Sequence, residues 1–302
     1  MIFNKYLLAG LVVLTLLSCE DVIDIEVEKG ETQLSVDAFI NNKVEVQKIV
    51  LLETKQFFGE AEQSFYKADS VFVIDDLNNK YIFEDFDLDG VYEWDDTILV
   101  HSGRTYNLTV KKGLDIFTSE SVSKPVPPID SVNWQYIPAG LGAKNGSYAV
   151  ELVSRDLVGQ VDYYKIQWAK NGKYVKGISS INLSVDGSFS ETGAQDGGLF
   201  IPPKSTFPAT NFDDSLGLED TFTYDLLSID EATFNFWTEV ANQKVAGGIR
   251  ALFATPTANV KSNIKYLGND KKALGWFSAS MISSYSQEIF DKPGERLSFS
   301  TN

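Results

Sequence analysis

One cysteine, one histidine and two methionines in 302 residues remove much of the usual catalytic and redox chemistry from this chain. A lone cysteine cannot close an internal disulfide. A lone histidine rules out histidine-rich zinc and iron sites. A Ser-His-Asp or Cys-His site would have to be built on His101, in "ILVHSGRTY", where no GxSxG elbow or other triad partner stands near it. His101 therefore reads as a strand-end or loop residue. There is no GxxxxGK[ST] phosphate loop, and "GLGAKNG" lacks the βαβ unit that would make its GxG a nucleotide signal, so it reads as a turn.

Positive charge is also scarce. Twenty-six Lys and Arg stand against forty-two Asp and Glu, a formal charge of −16. Nucleic-acid binding relies on cations that neutralise phosphates, and adhesion to an anionic leaflet relies on a basic patch. Neither fits. A pair of carboxylates suffices for a glycoside hydrolase, so forty-two acids do not exclude one, but most such charges keep an acidic protein soluble.

The one long apolar run, Tyr6 to Leu17, is too short to span a bilayer core, which needs roughly 20 residues, but it suits the h-region of an export signal. Leu16-Leu17-Ser18-Cys19 resembles a bacterial lipobox, in which the cysteine receives diacylglycerol and an N-linked acyl chain such as palmitate. Lipidation accounts for the single cysteine, and several buried acyl chains at ~0.8 kcal/mol per methylene make the anchor effectively permanent. The expected organisation is a signal peptide over residues 1–18 and a lipidated acidic spacer over 19–31. Removing residues 1–18 takes away Lys5 and no acid, which moves the formal charge to −17. Glu20 and Asp21 resemble the acidic export tags of surface-displayed lipoproteins, which points to an outer-membrane, cell-surface location.

From Gln33 onward the pattern is β. "QLSVDAFI", "VEVQKIVLLE", "DSVFVID", "KYIFED", "TILV" and "TYNLTVKK" are short runs with polar or glycine breaks, several of them alternating. They predict an immunoglobulin- or fibronectin-like β-sandwich over residues 32–124. The three prolines of "SKPVPPID" form a stiff boundary. A second β-rich domain, 125–302, is read from "DSVNWQYI", "SYAVELVSRD", "DYYKIQWAKNGKYV", "SSINLSVDG", "IRALFATP" and "LGWFSASMISSYSQEIF". Asn171-Gly172 predicts a type I′ hairpin. A loop-rich insertion is expected over about 187–220. One helix is predicted over about 229–243, opened by a capping box from Ser228 to Glu231, with Ala232, Phe236, Val240 and Gln243 along one side and Trp237 and Ala241 beside them.

"PVPPIDSV", "LLSIDEATFNFW", "GGIRALFATPTANVKSNI" and "LGWFSAS" occur in an order that resembles a Bacteroidota family of outer-membrane lipoproteins of unknown function, often encoded beside TonB-dependent transporters. The likeness covers nearly all of the chain after the spacer. It implies a cell-surface partner of an outer-membrane β-barrel and brings no catalytic residues.

"DFDLDGVYEWDD" is the remaining motif. Asp85, Asp87 and Asp89 alternate before Gly90, Val91 would offer its carbonyl, and Glu93 and Asp96 complete a calcium-loop pattern whose last ligand is shorter than the usual glutamate. Strand-like flanks make this a candidate structural calcium site in a β-hairpin, or a plain solvated acidic turn. Of five tryptophans (94, 134, 168, 237 and 276), Trp168 and Trp237 sit at core-like spacing, whereas Trp94 in the acidic turn is the candidate partner contact. The expected function is a non-catalytic binding or accessory subunit of an outer-membrane β-barrel, most simply a TonB-dependent transporter. The alternatives are a free-standing glycan-binding lipoprotein and a carboxylate-based hydrolase.

Overall fold

The structure, a computed structural model, describes residues 32–54, 64–94, 99–139, 146–176, 180–188, 192, 195–201, 206–207, 216–243, 260–268 and 271–290. It is mainly β with one described helix and several sheets in a sandwich-like arrangement, as the runs of alternating residues predict. Cys19, Asp96 and the expected strand "IRALFATP" lie outside the described residues.

Seven strands open the fold: β1 (Leu34–Asn41), β2 (Gln47–Glu53), β3 (Ser70–Asp75), β4 (Lys80–Phe83), β5 (Val91–Trp94), β6 (Thr105–Lys112) and β7 (Asp115–Val122). β1, β2 and β5 pair in one sheet, and β4, β3, β6 and β7 pair in that order in the other. This is fibronectin-like connectivity. Alternate residues of each strand point inward, so Leu34, Val36, Ala38 and Ile40 pack in one core with Val71, Val73, Leu108 and Val110 of the facing sheet. A second mark of this fold is the corner before β6. The buried Tyr106 hydroxyl accepts a hydrogen bond from His101 N at 2.8 Å and donates to the Leu99 carbonyl at 3.2 Å. His101 contributes its main chain to this corner, and its side chain is exposed.

The second half contains β8 (Ile129–Ile137), β9 (Ser147–Ser154), β10 (Tyr163–Lys170), β11 (Lys173–Tyr174), β12 (Asn182–Val185), β13 (Thr206–Phe207), β14 (Thr221–Ile229), the helix α1 (Glu231–Gln243), β15 (Lys265–Tyr266) and β16 (Ala273–Glu288). Asn171 and Gly172 carry φ of 49° and 74°, the left-handed pair of the expected I′ turn between β10 and β11. A three-stranded sheet, β13-β9-β8, contributes Val132, Tyr148, Val150 and Leu152 to a second core with Tyr164, Ile166, Tyr224 and Leu226.

The sixteen-residue β16 joins the two cores. Its first half runs parallel to β1, with Ala273 opposite Leu34, and its second half runs antiparallel to β14, with Glu288 opposite Thr221. The result is one eight-stranded sheet, β11-β10-β14-β16-β1-β2-β5, with β12 on the side of β10. Gly275 is dictated by this crossing. Its φ is +92°, and a Cβ there would stand 1.8 Å from the Val36 carbonyl oxygen.

Helix α1 lies on the other face of that sheet. It is capped by Asp230, whose Oδ1 accepts from Thr233 N at 2.7 Å, and not by Ser228. Ser228 is buried inside β14, which runs two residues further toward the helix than the expected cap allows. The side facing the sheet is in part the expected one: Phe236 and Trp237 lie on it together with Thr233, while Ala232 and Gln243 are exposed. Trp276 Nε1 donates to Thr233 Oγ1 at 3.0 Å, and the Phe236 ring stacks on Trp276 at 4.7 Å.

Candidate functional site

Because strand residues alternate, every strand that buries Tyr164, Leu226 or Ala38 on one face presents its neighbours on the other. That outer face carries Lys165 and Gln167 from β10, Asp225, Leu227 and Ile229 from β14, Ser280 and Ile282 from β16, and Asp37 and Phe39 from β1. Trp237 of α1 closes one end, and Tyr174 with the β1–β2 turn closes the other. The half-open cavity measures about 310 Å³, at the lower edge of small-molecule sites.

Its two ends differ electrostatically. At the far end Lys43 Nζ lies 2.5 Å from Asp225 Oδ2 and donates to the Tyr174 hydroxyl at 2.8 Å. Tyr174 also donates to Asp225, and Ser284 Oγ donates to Asp225 Oδ1 at 2.6 Å. Burial pushes the Lys43 amine down, but its bonds to Asp225 and Tyr174 outweigh that and hold it above the ordinary lysine value. This end is a satisfied network.

The near end is not. Lys165 is 8 % exposed, and its Nζ sits 3.4 Å from the centroid of the Trp237 ring and 5.7 Å from that of Phe39. Among the described residues Nζ has neither a hydrogen-bond nor an ion-pair partner; only the field of Asp37 acts on it. Burial pushes the amine down to about 7, with Asp37 opposing. Chemically the cavity offers one buried amine without a hydrogen-bond partner among the described residues, an apolar wall, the neutral polar groups of Asn41, Gln167 and Ser280, and the carboxylates of Asp37 and Glu45. Among the described residues that line it, Lys165 is the amine that burial pushes down, whereas Lys43 is held up by its partners.

A second buried cluster lies at the base of the loop-rich segment. Tyr164 donates to Asp156 Oδ1 at 2.6 Å, Gln160 donates to Asp162 Oδ1 at 2.7 Å, and Asp162 N donates to Asp186 Oδ1 at 2.6 Å. Among the described residues Asp156 Oδ2 and Asp162 Oδ2 are buried without hydrogen-bond partners. Burial, with Asp156 and Asp186 nearby, pushes the Asp162 carboxyl up to about 6. Backbone hydrogen bonds hold the segments here together: Asp156 N donates to Gly198 O, Phe200 N to Ser154 O and Ile201 N to Gly187 O. The expected insertion, about 187–220, is thus partly structural; Phe200 and Leu216 are core residues and β13 extends the β8–β9 sheet.

The acidic turn holds three of its six expected ligands together. Oxygens of Asp85, Asp87 and Asp89 lie within 4.8 Å of one another. Two of these groups already cap the turn: Asp85 accepts from Asp89 N and Gly90 N, and Asp89 from Val91 N. Val91 and Glu93 belong to the β5 ladder, and Glu93 Oε1 is 2.6 Å from Lys48 Nζ. Trp94 is half-buried against the first core, edge-to-face with Tyr81 at 5.4 Å. Lys165 and Trp237, which the geometry brings to the cavity, do not stand out in the sequence. The available signal was a lysine and a glutamine alternating with Tyr164, Ile166 and Trp168, which reads equally well as a solvated strand face.

Residues 20–286 match the family described as Domain of unknown function (DUF4249), and the chain belongs to that family. No curated protein matches it. Among the described residues no helix is long and apolar enough to cross a membrane.

Proposed function

We propose that this member of the DUF4249 family is a lipid-anchored outer-membrane protein exposed at the cell surface. There it serves as a non-catalytic binding and accessory subunit of a β-barrel, a TonB-dependent transporter, in nutrient capture or gating. The observation that supports binding is the cavity on the outer face of the eight-stranded sheet, walled by strands of both sandwiches. The lipobox ending in Cys19 supports the membrane placement. An acyl anchor confines the chain to the surface and raises its effective concentration beside an embedded barrel. A calcium ion held by Asp85, Asp87 and Asp89 would be structural in this reading, offsetting the repulsion of adjacent carboxylates.

The test is co-purification from native membranes through a C-terminal tag, with calcium present, followed by identification of what travels with the protein. A stoichiometric TonB-dependent barrel is expected. The chain emerging alone would overturn the docking proposal in favour of a free-standing binder, and turnover of a glycan panel that one Asp or Glu substitution abolishes would replace it with a hydrolase.

A further inference from the structure

We infer that the cavity binds the carboxylate of a small monoanionic molecule, with the Lys165 ammonium as its counter-ion and donor. This rests on the binding reading above and not on the barrel.

The first ground is the state of Lys165. Buried charges in folded proteins are paired or neutralised, because desolvating an unpartnered ion costs several kcal/mol. Here the fold holds a lysine residue at 8 % exposure, its amine over an indole face and without a hydrogen-bond partner among the described residues. The adjoining space of about 310 Å³ is large enough for about ten waters, or for a ligand of comparable volume.

The second ground is the contrast with Lys43. That amine lines the same cavity but is already bonded to Asp225 and Tyr174, so among the described residues an incoming anion meets one cation without such partners, Lys165. Lys165 is therefore the point of attachment.

The third ground is the charge of the wall, which selects among anions. Asp37, Glu45 and Asp225 share it with only two ammonium groups. With Lys43 paired to Asp225, Asp37 and Glu45 leave the wall acidic around Lys165, so a dianion such as a phosphate monoester would be repelled more strongly than a single carboxylate held on that lysine. Leu227, Ile229 and Ile282 then face the ligand's apolar portion, and Gln167 and Ser280 its neutral polar atoms.

The experiment uses the mature chain, soluble as a Cys19→Ala variant, in titrations read by tryptophan fluorescence and calorimetry. The probes are hexanoate, phenylacetate, N-acetylphenylalanine and glucuronate, each beside its primary amide, with phenyl phosphate as the dianion. At least one carboxylate is expected to bind, its amide at least about tenfold more weakly, and Lys165→Met to lose at least about tenfold in affinity. Because a variant can misfold, protection of Lys165 against acetic anhydride in the unsubstituted cavity, followed by mass spectrometry, gives an independent readout. Equal binding of acid and amide, tighter binding of the phosphate, no protection of Lys165, or no binding by any probe up to about 10 mM would each overturn the inference. None of these results depends on whether a barrel co-purifies, so the two proposals fail separately.

Discussion

Lys43, in the turn after β1, reaches across the sheet to Asp225 in β14, with Nζ 2.5 Å from Oδ2. The contact ties the first sandwich to the second beside the strand they share, and Asn42 reinforces it by accepting from Ile282 N at 2.6 Å. Lys43→Met would leave the Asp225 carboxylate with Tyr174 and Ser284 alone. The expected loss is roughly 1–3 kcal/mol in urea unfolding, below the usual figure for a fully buried pair because the Lys43 side chain is 23 % exposed. Lys43→Met/Asp225→Leu should recover much of it. Since the pair raises the lysine's folded value, its stabilisation is present below the ordinary lysine range and fades as pH rises through the folded value. An unchanged midpoint in Lys43→Met would show that the strap contributes nothing.

The corner at Tyr106 allows a sharper contrast. Tyr106→Phe removes the partner of both His101 N and the Leu99 carbonyl in a buried place, and should cost about 1–3 kcal/mol. His101→Ala keeps the main-chain donor and trims an exposed side chain, so it should change stability by less than about 0.5 kcal/mol. Thermal unfolding of the two variants side by side decides it. A larger loss in His101→Ala than in Tyr106→Phe would mean that the imidazole has a role of its own.

The first sandwich was legible because its strands bury one face and expose the other, which writes a period of two into residues such as 34–41 and 105–112. β14 was missed for the opposite reason. Residues on both its faces are buried, so "TFTYDLLSI" shows no clean alternation, and its end displaced the helix cap from Ser228 to Asp230. β5 was hidden in the acidic turn, and β7, "DIFTSESV", alternates with serines that read as loop. The candidate site was less legible still. Lys165 is distinctive only because α1 folds back over a face that local sequence marks as solvated, and that is a long-range fact with no periodic signature.

Gly275 tests the shared strand directly. Gly275→Ala would place a methyl group 1.8 Å from Val36 O and 2.6 Å from Val36 N, both main-chain atoms, at a φ of +92°. Either β1 or β16 must shift, which opens the parallel pairing between the sandwiches. The expected cost is at least about 3 kcal/mol, or a melting-temperature fall of roughly 6–12 °C. Gly103→Ala, at φ +76° with open space around it, should cost only about 1 kcal/mol. Equal effects at the two positions would show that strain in φ, and not the crossing, sets the penalty.

Asp162 gives the fold a pH dependence of defined sign. Burial, with Asp156 and Asp186 beside it, raises its carboxyl from the ordinary 3.8 to about 6. The folded chain therefore holds a proton that the unfolded chain releases over that interval. Its favourable contribution is complete below pH about 4 and is lost as pH rises through about 6, so at neutral pH the ionised group destabilises the fold. Asp162→Asn keeps an oxygen to accept from Gln160 and carries no charge. The variant should be more stable than the parent at pH 7.5 by about 1–3 kcal/mol, with the gap closing as pH falls to about 4. Urea unfolding at several pH values reads both quantities. A variant less stable than the parent at pH 7.5, with the same pH slope, would mean that the carboxylate is ionised and partnered in the fold.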